Sequence, residues 1–465
     1  MPPAFERLSF LDTSFLALET PSTHMHVGSV LTFDASTLTN DDGGIDIDLI
    51  RGYMRGRLHM APRYRQRLAW IPIEQYPVWI DDEHFNLEYH VRHTALPNPG
   101  TEEQLRTLAG RIMSQGLDRG KPLWELWVVE GLEGNRFAII SKIHHCMIDG
   151  VSGAELMAML LNFGPDRTML PEREWEPAPT PSDAELIVAE SARLTRSVID
   201  QAKGLFDGLP GLAGRVAGRV QQAGQTLRSG WLTPSTPTPL NEQIGPNRRF
   251  AWLDTPLDTL KDVRRATGAS INDLVLTVVS GAIRTFLIEH RGFEPDRGGY
   301  RAMVPVSIRE GAATDLGNQV AMWLVELPID EPEPLTRLGA IAAETNRLKE
   351  SNEAEGASAL VDAASGTPVT LLSLGLKAAA ERRPFNMTIT NVPGPQFPLY
   401  LLDAQMEATY PLVPLWHHHG LSIALFSYAG AINWGVVADW DLVPDLDAFI
   451  ACVDRSVAEL AEAAS

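Results

Sequence analysis

The chain has 465 residues, 44% of them hydrophobic, and its mean hydropathy of -0.08 describes a globular protein long enough for two or more full cores. A net charge of -20 and a pI near 5.0 argue against nucleic acid, whose phosphates are bound by basic patches, and against anionic lipid unless the cations cluster. Two cysteines, Cys146 and Cys452, give no disulfide framework and fit a reducing cytoplasm.

The N-terminus lacks the charged, apolar, small-residue order of a signal peptide, and no apolar run approaches the roughly 20 residues that span a bilayer. Residues 1–165 read as a first domain of mixed α and β structure. Residues 26–33 have strand character, and residues 48–59 helical character weakened by Gly52 and Gly56. Thr101 and Gln104 form a capping box, after which Leu105, Leu108, Ala109, Ile112 and Met113 keep helical spacing until Gly116. Pro122-Leu123-Trp124 leads into a strand through Trp127, Val128 and Val129; taken alone, it is a chain reversal with a buried Trp. The turn signal Glu133-Gly134-Asn135 and the β-branched residues 136–143 complete a hairpin.

The hairpin runs into His144-His145-Cys146-Met147-Ile148-Asp149-Gly150, where two imidazoles, a carboxylate and a glycine fall within seven residues. Side chains alternate along a strand, so the two rings diverge and only one faces a reacting group. Asp149-Gly150 reads as a turn, and Ser152 with Glu155 as a capping box before Leu156, Met157, Leu160 and Leu161 on an amphipathic helix. Histidine suits proton transfer near neutral pH. Asp149 could orient an imidazole or anchor the turn against a distant cation. A single strand histidine is usually structural and Asp-Gly usually only a turn; the two together at this spacing favour chemistry. Ser152 nearly completes a GxSxG elbow, but Ala154 breaks it, which places a serine hydrolase third among the readings.

Residues 166–245 change character. Prolines 171, 177, 179 and 181 mark a break, residues 183–206 are helical, and residues 208–232 carry Arg215, Arg219 and Arg228 without an acid. The segment reads either as an interdomain linker or as an interfacial one laying Leu205, Phe206, Leu209, Leu212 and Val216 on lipid. Residues 246–465 read as a second mixed domain. A helix from residue 257 ends at Gly268; Ser270 caps the next, with Asn272 and Asp273 in its first turn, where an Asp suits the helix dipole. Residues 300–309 form a strand ending in Arg309, residues 421–437 a hairpin about Ala429-Gly430, and residues 446–460 a closing helix. His90 and His93 beside Glu88, and the triplet His417-His418-His419, invite a metal reading. Without HExxH or a cysteine pair, and with neighbouring strand histidines diverging, no metal is expected.

The pattern HHxxxDG, filled by His144, His145, Asp149 and Gly150, resembles the signature of the chloramphenicol-acetyltransferase-like acyltransferases. Pro122-Leu123-Trp124, Asn272-Asp273 and Asn391-Val392-Pro393-Gly394-Pro395 resemble the PLW, ND and NVPGP motifs of one branch, the bacterial wax ester synthase/acyl-CoA:diacylglycerol acyltransferases. Leu8-Ser9-Phe10-Leu11-Asp12, His24-Met25-His26-Val27-Gly28 and Tyr89-His90-Val91-Arg92-His93 are similar to that branch too, and the motifs follow its order from near residue 7 to near residue 450.

The resemblance implies a mixed α/β fold of two chloramphenicol-acetyltransferase-like domains with the active-site tunnel between them. It implies transfer of a long-chain acyl group from acyl-CoA, a substrate rather than a cofactor, to diacylglycerol or a long-chain alcohol. His145 would be the general base and His144 a scaffold residue. The Gly150 N–H or the Asn272 side chain would donate to the oxyanion. Asp149 would pair with Arg309, while Pro122, Leu123, Trp124 and Asp273 would support the site. No cofactor is implied, and the expected location is cytoplasmic, with peripheral contact at the inner membrane face or lipid droplets. The other readings are a condensation-type domain using carrier-protein thioesters and a non-catalytic lipid-binding protein.

Overall fold

In chain order, the computed structural model places β1 (Glu6–Arg7), α1 (Phe10–Leu18), β2 (His26–Asp34), α2 (Ile47–Arg57), β3 (Gln66–Trp70), β4 (Pro77–Asp81), α3 (Leu87–His90), β5 (Val91–Ala95), α4 (Glu102–Met113), β6 (Trp124–Leu132) and β7 (Arg136–His144). There follow α5 (Asp183–Asp207), β8 (Arg248–Pro256), α6 (Leu257–Thr267), α7 (Ile271–Arg291), β9 (Arg301–Ser307), β10 (Val320–Glu326), α8 (Pro334–Glu350), β11 (Met387–Pro393), β12 (Tyr400–Leu401), β13 (Ala404–Leu412), β14 (Leu421–Tyr428), β15 (Ala431–Asp439) and α9 (Leu446–Ala463). The structure describes residues 5–147, 157, 159–207, 233–296, 298–307, 320–350 and 382–465. Asp149, Gly150, Arg309, the expected cap at Ser152 and Glu155, and residues 208–232 lie outside the described residues.

Local chemistry explains the element ends. Thr101 and Gln104 close the capping box of α4, and Ser270 with Asp273 closes that of α7. Gly268, with φ of 76°, ends α6 in the left-handed conformation that a side chain disfavours. The β6–β7 turn carries positive φ at Gly134 and Asn135, and the β14–β15 turn carries it at Ala429 and Gly430, so both hairpins form where the sequence places them. α4 ends at Met113, short of Gly116, with Ser114 at its C-cap, where both its N–H and its hydroxyl bond the Gly110 carbonyl.

Two six-stranded mixed sheets carry the two halves, in the orders β12-β13-β2-β7-β6-β5 and β10-β9-β11-β14-β15-β8. The first is completed by strands from late in the chain: β13 runs antiparallel to β2, from Leu412 opposite Gly28 to Met406 opposite Phe33. The halves are therefore interlocked by a returning strand. A third apolar cluster joins them, with Leu105, Leu108 and Ile112 of α4 against Phe250 and Trp252 of β8 and Tyr410 of β13. Helix and strand approach closely here: a Cβ on Gly110 would lie 2.7 Å from the Arg248 carbonyl oxygen.

α7 packs inside the second half. By length and composition this 21-residue helix could cross a membrane, although Arg284 and its hydroxyl residues break up the apolar run in the sequence. It is the central helix of the second core instead, with Leu274, Val275, Leu276, Val278, Val279, Ala282, Ile283, Phe286 and Leu287 all fully buried.

Candidate active site

β7 delivers the histidine pair. It lies between β2 and β6, with His144 opposite His26 and Ile143 opposite Trp124. The His144 N–H donates to the Leu123 carbonyl at 2.9 Å, and the His145 N–H to the Met25 carbonyl at 2.8 Å. His144 is the last strand residue and His145 opens a 3₁₀ turn. The two rings have different partners, Phe15 for His145 and Glu19 for His144.

His145 lies partly buried with its ring stacked on Phe15 of α1, centroids 3.8 Å apart. Burial pushes its pKa down to about 4, against the opposing pull of its own backbone carbonyl. At neutral pH the ring is therefore an uncharged base. Its Nδ1 is buried without a hydrogen-bond partner among the described residues.

His144 is almost wholly buried and held from both ends. The Cys146 N–H donates to its Nδ1 at 3.1 Å, so in the neutral ring the hydrogen is on Nε2, which faces Glu19 Oε2 at 3.5 Å. Glu19 caps the C-terminus of α1 and is a hub: Arg119 donates to Oε2 at 2.5 Å, while His26 Nε2 and His24 Nδ1 lie 3.5 and 3.8 Å from Oε1. Burial opposes its ionisation, but His144, His24 and Arg119 overcome this and hold the carboxyl well below the usual carboxylate range. His26 is held well below the usual range by burial, then by the Lys142 and His144 charges, and is neutral. Lys142, buried under the same strand, caps the end of α4 by donating to the Ile112 carbonyl at 2.9 Å and to the Gln115 carbonyl. Burial lowers its pKa to about 8.

Pro122-Leu123-Trp124 supports this strand end. Beyond the Leu123 carbonyl that receives His144, Trp124 is fully buried, donates from Nε1 to the Tyr64 carbonyl at 2.8 Å and stacks on His90 at 4.5 Å. Asn272 and Asp273 lie in the other half. Asp273 accepts from its own cap and from the Thr345 hydroxyl at 2.7 Å, which ties α7 to α8. No hydrogen bond among the described residues joins Asn272 or Asp273 to the histidine pair. At the NVPGP stretch, a Cβ on Gly394 would lie 2.3 Å from the Phe426 ring, and Phe426 packs on the core of the first half. That motif lies at the seam.

The other histidines that invited a metal reading are engaged separately. His90 Nδ1 meets the Trp124 carbonyl at 2.7 Å, His93 pairs with Glu130 at 3.3 Å, and His419 Nε2 meets the Phe385 carbonyl at 2.6 Å. Sequence reading missed Phe15, Glu19 and Arg119, and the convergence of His24 with His26. The signal for the last was the H-x-H spacing entering a strand, which puts both rings on one face.

A family model described as the wax ester synthase/diacylglycerol acyltransferase catalytic domain matches residues 8–275, and that family's C-terminal domain model matches residues 316–461. The chain belongs to the wax ester synthase/diacylglycerol acyltransferase family. This family membership makes it an acyltransferase. A Mycobacterium tuberculosis H37Rv protein named as a diacylglycerol O-acyltransferase is 32% identical over 463 residues, 95% of this chain and 88% of the relative. The wax ester synthase/diacylglycerol acyltransferase from Marinobacter aquaeolei VT8 superposes with a TM-score of 0.70 at 27% identity, over 98% of this chain and 99% of that one. The starter condensation domain of rhizomide synthetase, solved with C8-CoA and Leu-SNAC, shares the fold alone, at a TM-score of 0.58 and 14% identity over 99% of this chain and 94% of that one. The expected chloramphenicol-acetyltransferase-like fold is thus the observed one.

Proposed function

We propose that the chain esterifies diacylglycerol, and long-chain alcohols as second acceptors, with a long-chain acyl group from acyl-CoA, and that His145 is the general base. The observation that carries this reading is the uncharged His145 ring at the end of β7, fixed over Phe15, in a chain of this family. The acceptor hydroxyl gives its proton to His145 as its oxygen attacks the thioester carbonyl; the C–S bond then breaks and the thiolate of coenzyme A takes the proton back. The acyl group arrives activated, so neither a covalent acyl-enzyme nor a cofactor is required. Asp149 paired with Arg309, and the Gly150 N–H or Asn272 as oxyanion donors, complete the proposal. The reaction belongs to the cytoplasm, at the inner membrane face or a lipid-droplet surface where both acceptors are found.

Purified protein given palmitoyl-CoA with dioleoylglycerol or hexadecanol should release thiol together with triacylglycerol or wax ester. If neither acceptor reacts while a carrier-protein thioester does, the condensation-type reading replaces this one.

A further inference from the structure

We propose that Glu19, His24 and His26 form a binding site for one zinc-class divalent cation. The two histidines are two residues apart at the start of β2, and their rings lie nearly parallel, 4° apart in plane with centroids 5.2 Å apart. Both face the same carboxylate oxygen: His26 Nε2 is 3.5 Å and His24 Nδ1 3.8 Å from Glu19 Oε1, and the three ligand atoms lie within 4.8 Å of one another. Zinc bonds to nitrogen and oxygen are about 2.0–2.2 Å, so tetrahedral ligands are about 3.4 Å apart, close to the His26–Glu19 separation. His24 precedes the strand and its side chain is 14% exposed, so it can close the remaining gap.

The carboxylate is divided between two tasks. Arg119 and His144 address Oε2, while Oε1 faces the two imidazoles and accepts the Met25 N–H at 3.4 Å. His26 supplies the second, independent observation. It is 1% exposed, and neither ring nitrogen has a hydrogen-bond partner among the described residues. Buried polar atoms are normally satisfied, and a metal ion meets a bare imidazole lone pair as a hydrogen-bond donor would. A donor set of two imidazoles and one carboxylate, with a fourth position for water, selects zinc, cobalt or nickel over magnesium or calcium, which prefer all-oxygen shells. The proposal runs against the expectation of no metal, which weighed other histidines.

The test uses the full chain stripped with a chelator, titrated with Co²⁺ by visible absorption and then with Zn²⁺ by calorimetry, alongside His24→Ala and His24→Asn. Binding is read without turnover, so its failure is separate from failure of the acyl-transfer reading. Expected are one equivalent of tetrahedral cobalt displaced by zinc, and a zinc-dependent rise in Tm for the parent. Both variants should keep the parent's circular dichroism and bind more than about 100-fold more weakly, beyond the roughly 10–100-fold typical of losing an outer partner. Absence of a stoichiometric cobalt spectrum in the parent would overturn the site. Equal binding by His24→Asn would assign the cation to surface histidines and overturn it as well.

Discussion

His145 is tuned by what surrounds it. The Phe15 face and partial burial keep its pKa near 4, so it is already a free base across the neutral range. Turnover at saturating substrate should therefore be flat from pH 8 down to about pH 5.5; a limb centred near 6.5 would mean that an unperturbed imidazole titrates instead. Glu19 faces His144 at 3.5 Å rather than His145. Glu19→Gln keeps the shape but removes the charge that faces His144 and Arg119, and should lower kcat with little change in KM, whereas a purely structural role would change neither. At this scale the sequence was legible only in part. The histidine pair stood out because its spacing is unusual, while Glu19 is one acid among 59 and gains meaning only when α1 brings it beside β2 and β7.

The elements around the site are held by backbone contacts that leave little room. A Cβ on Gly28 would lie 1.9 Å from the Ser141 carbonyl oxygen, so Gly28→Ala must part β2 from β7 and should abolish soluble folded protein. Trp124→Phe keeps most of the packing and loses the bond to the Tyr64 carbonyl, at a cost of about 1–3 kcal/mol measurable by urea denaturation. Asp273→Ala removes one side of the capping box and the nearer acceptor of the buried Thr345 hydroxyl, leaving it the Ala342 carbonyl at 3.3 Å, and should cost about 1–2 kcal/mol by the same measurement without touching the histidine pair. Most elements were readable from caps, turn residues and periodicity, as α4, α6 and both hairpins show. PLW was legible as a buried Trp; that its Leu123 carbonyl anchors His144 was not, because a backbone partner leaves no trace in side-chain identity.

At the scale of the molecule, the joint between the halves could not be read from the sequence, because the return of β13 to β2 pairs residues almost 400 apart and local pattern carries no information about such partners. A second whole-molecule property follows from buried imidazoles. His90 and His419 are both pushed down to about 4 by burial, opposed by the backbone carbonyls they bond. Below pH 6.5 the unfolded chain takes up protons that the folded chain refuses, so their contribution is complete above that pH and is lost as pH falls towards 4, on the order of 3 kcal/mol each. The urea midpoint should fall between pH 7.5 and 5, and His419→Gln should reduce the difference; equal midpoints at the two pH values would contradict this account.

The most direct test of the central claim compares the parent with His145→Ala in acyl-CoA-dependent ester formation, with near-ultraviolet circular dichroism confirming an unchanged core. The account predicts a loss of about 10²–10⁴-fold in turnover with the fold intact. Parent-like ester formation by folded His145→Ala would show that the base lies elsewhere.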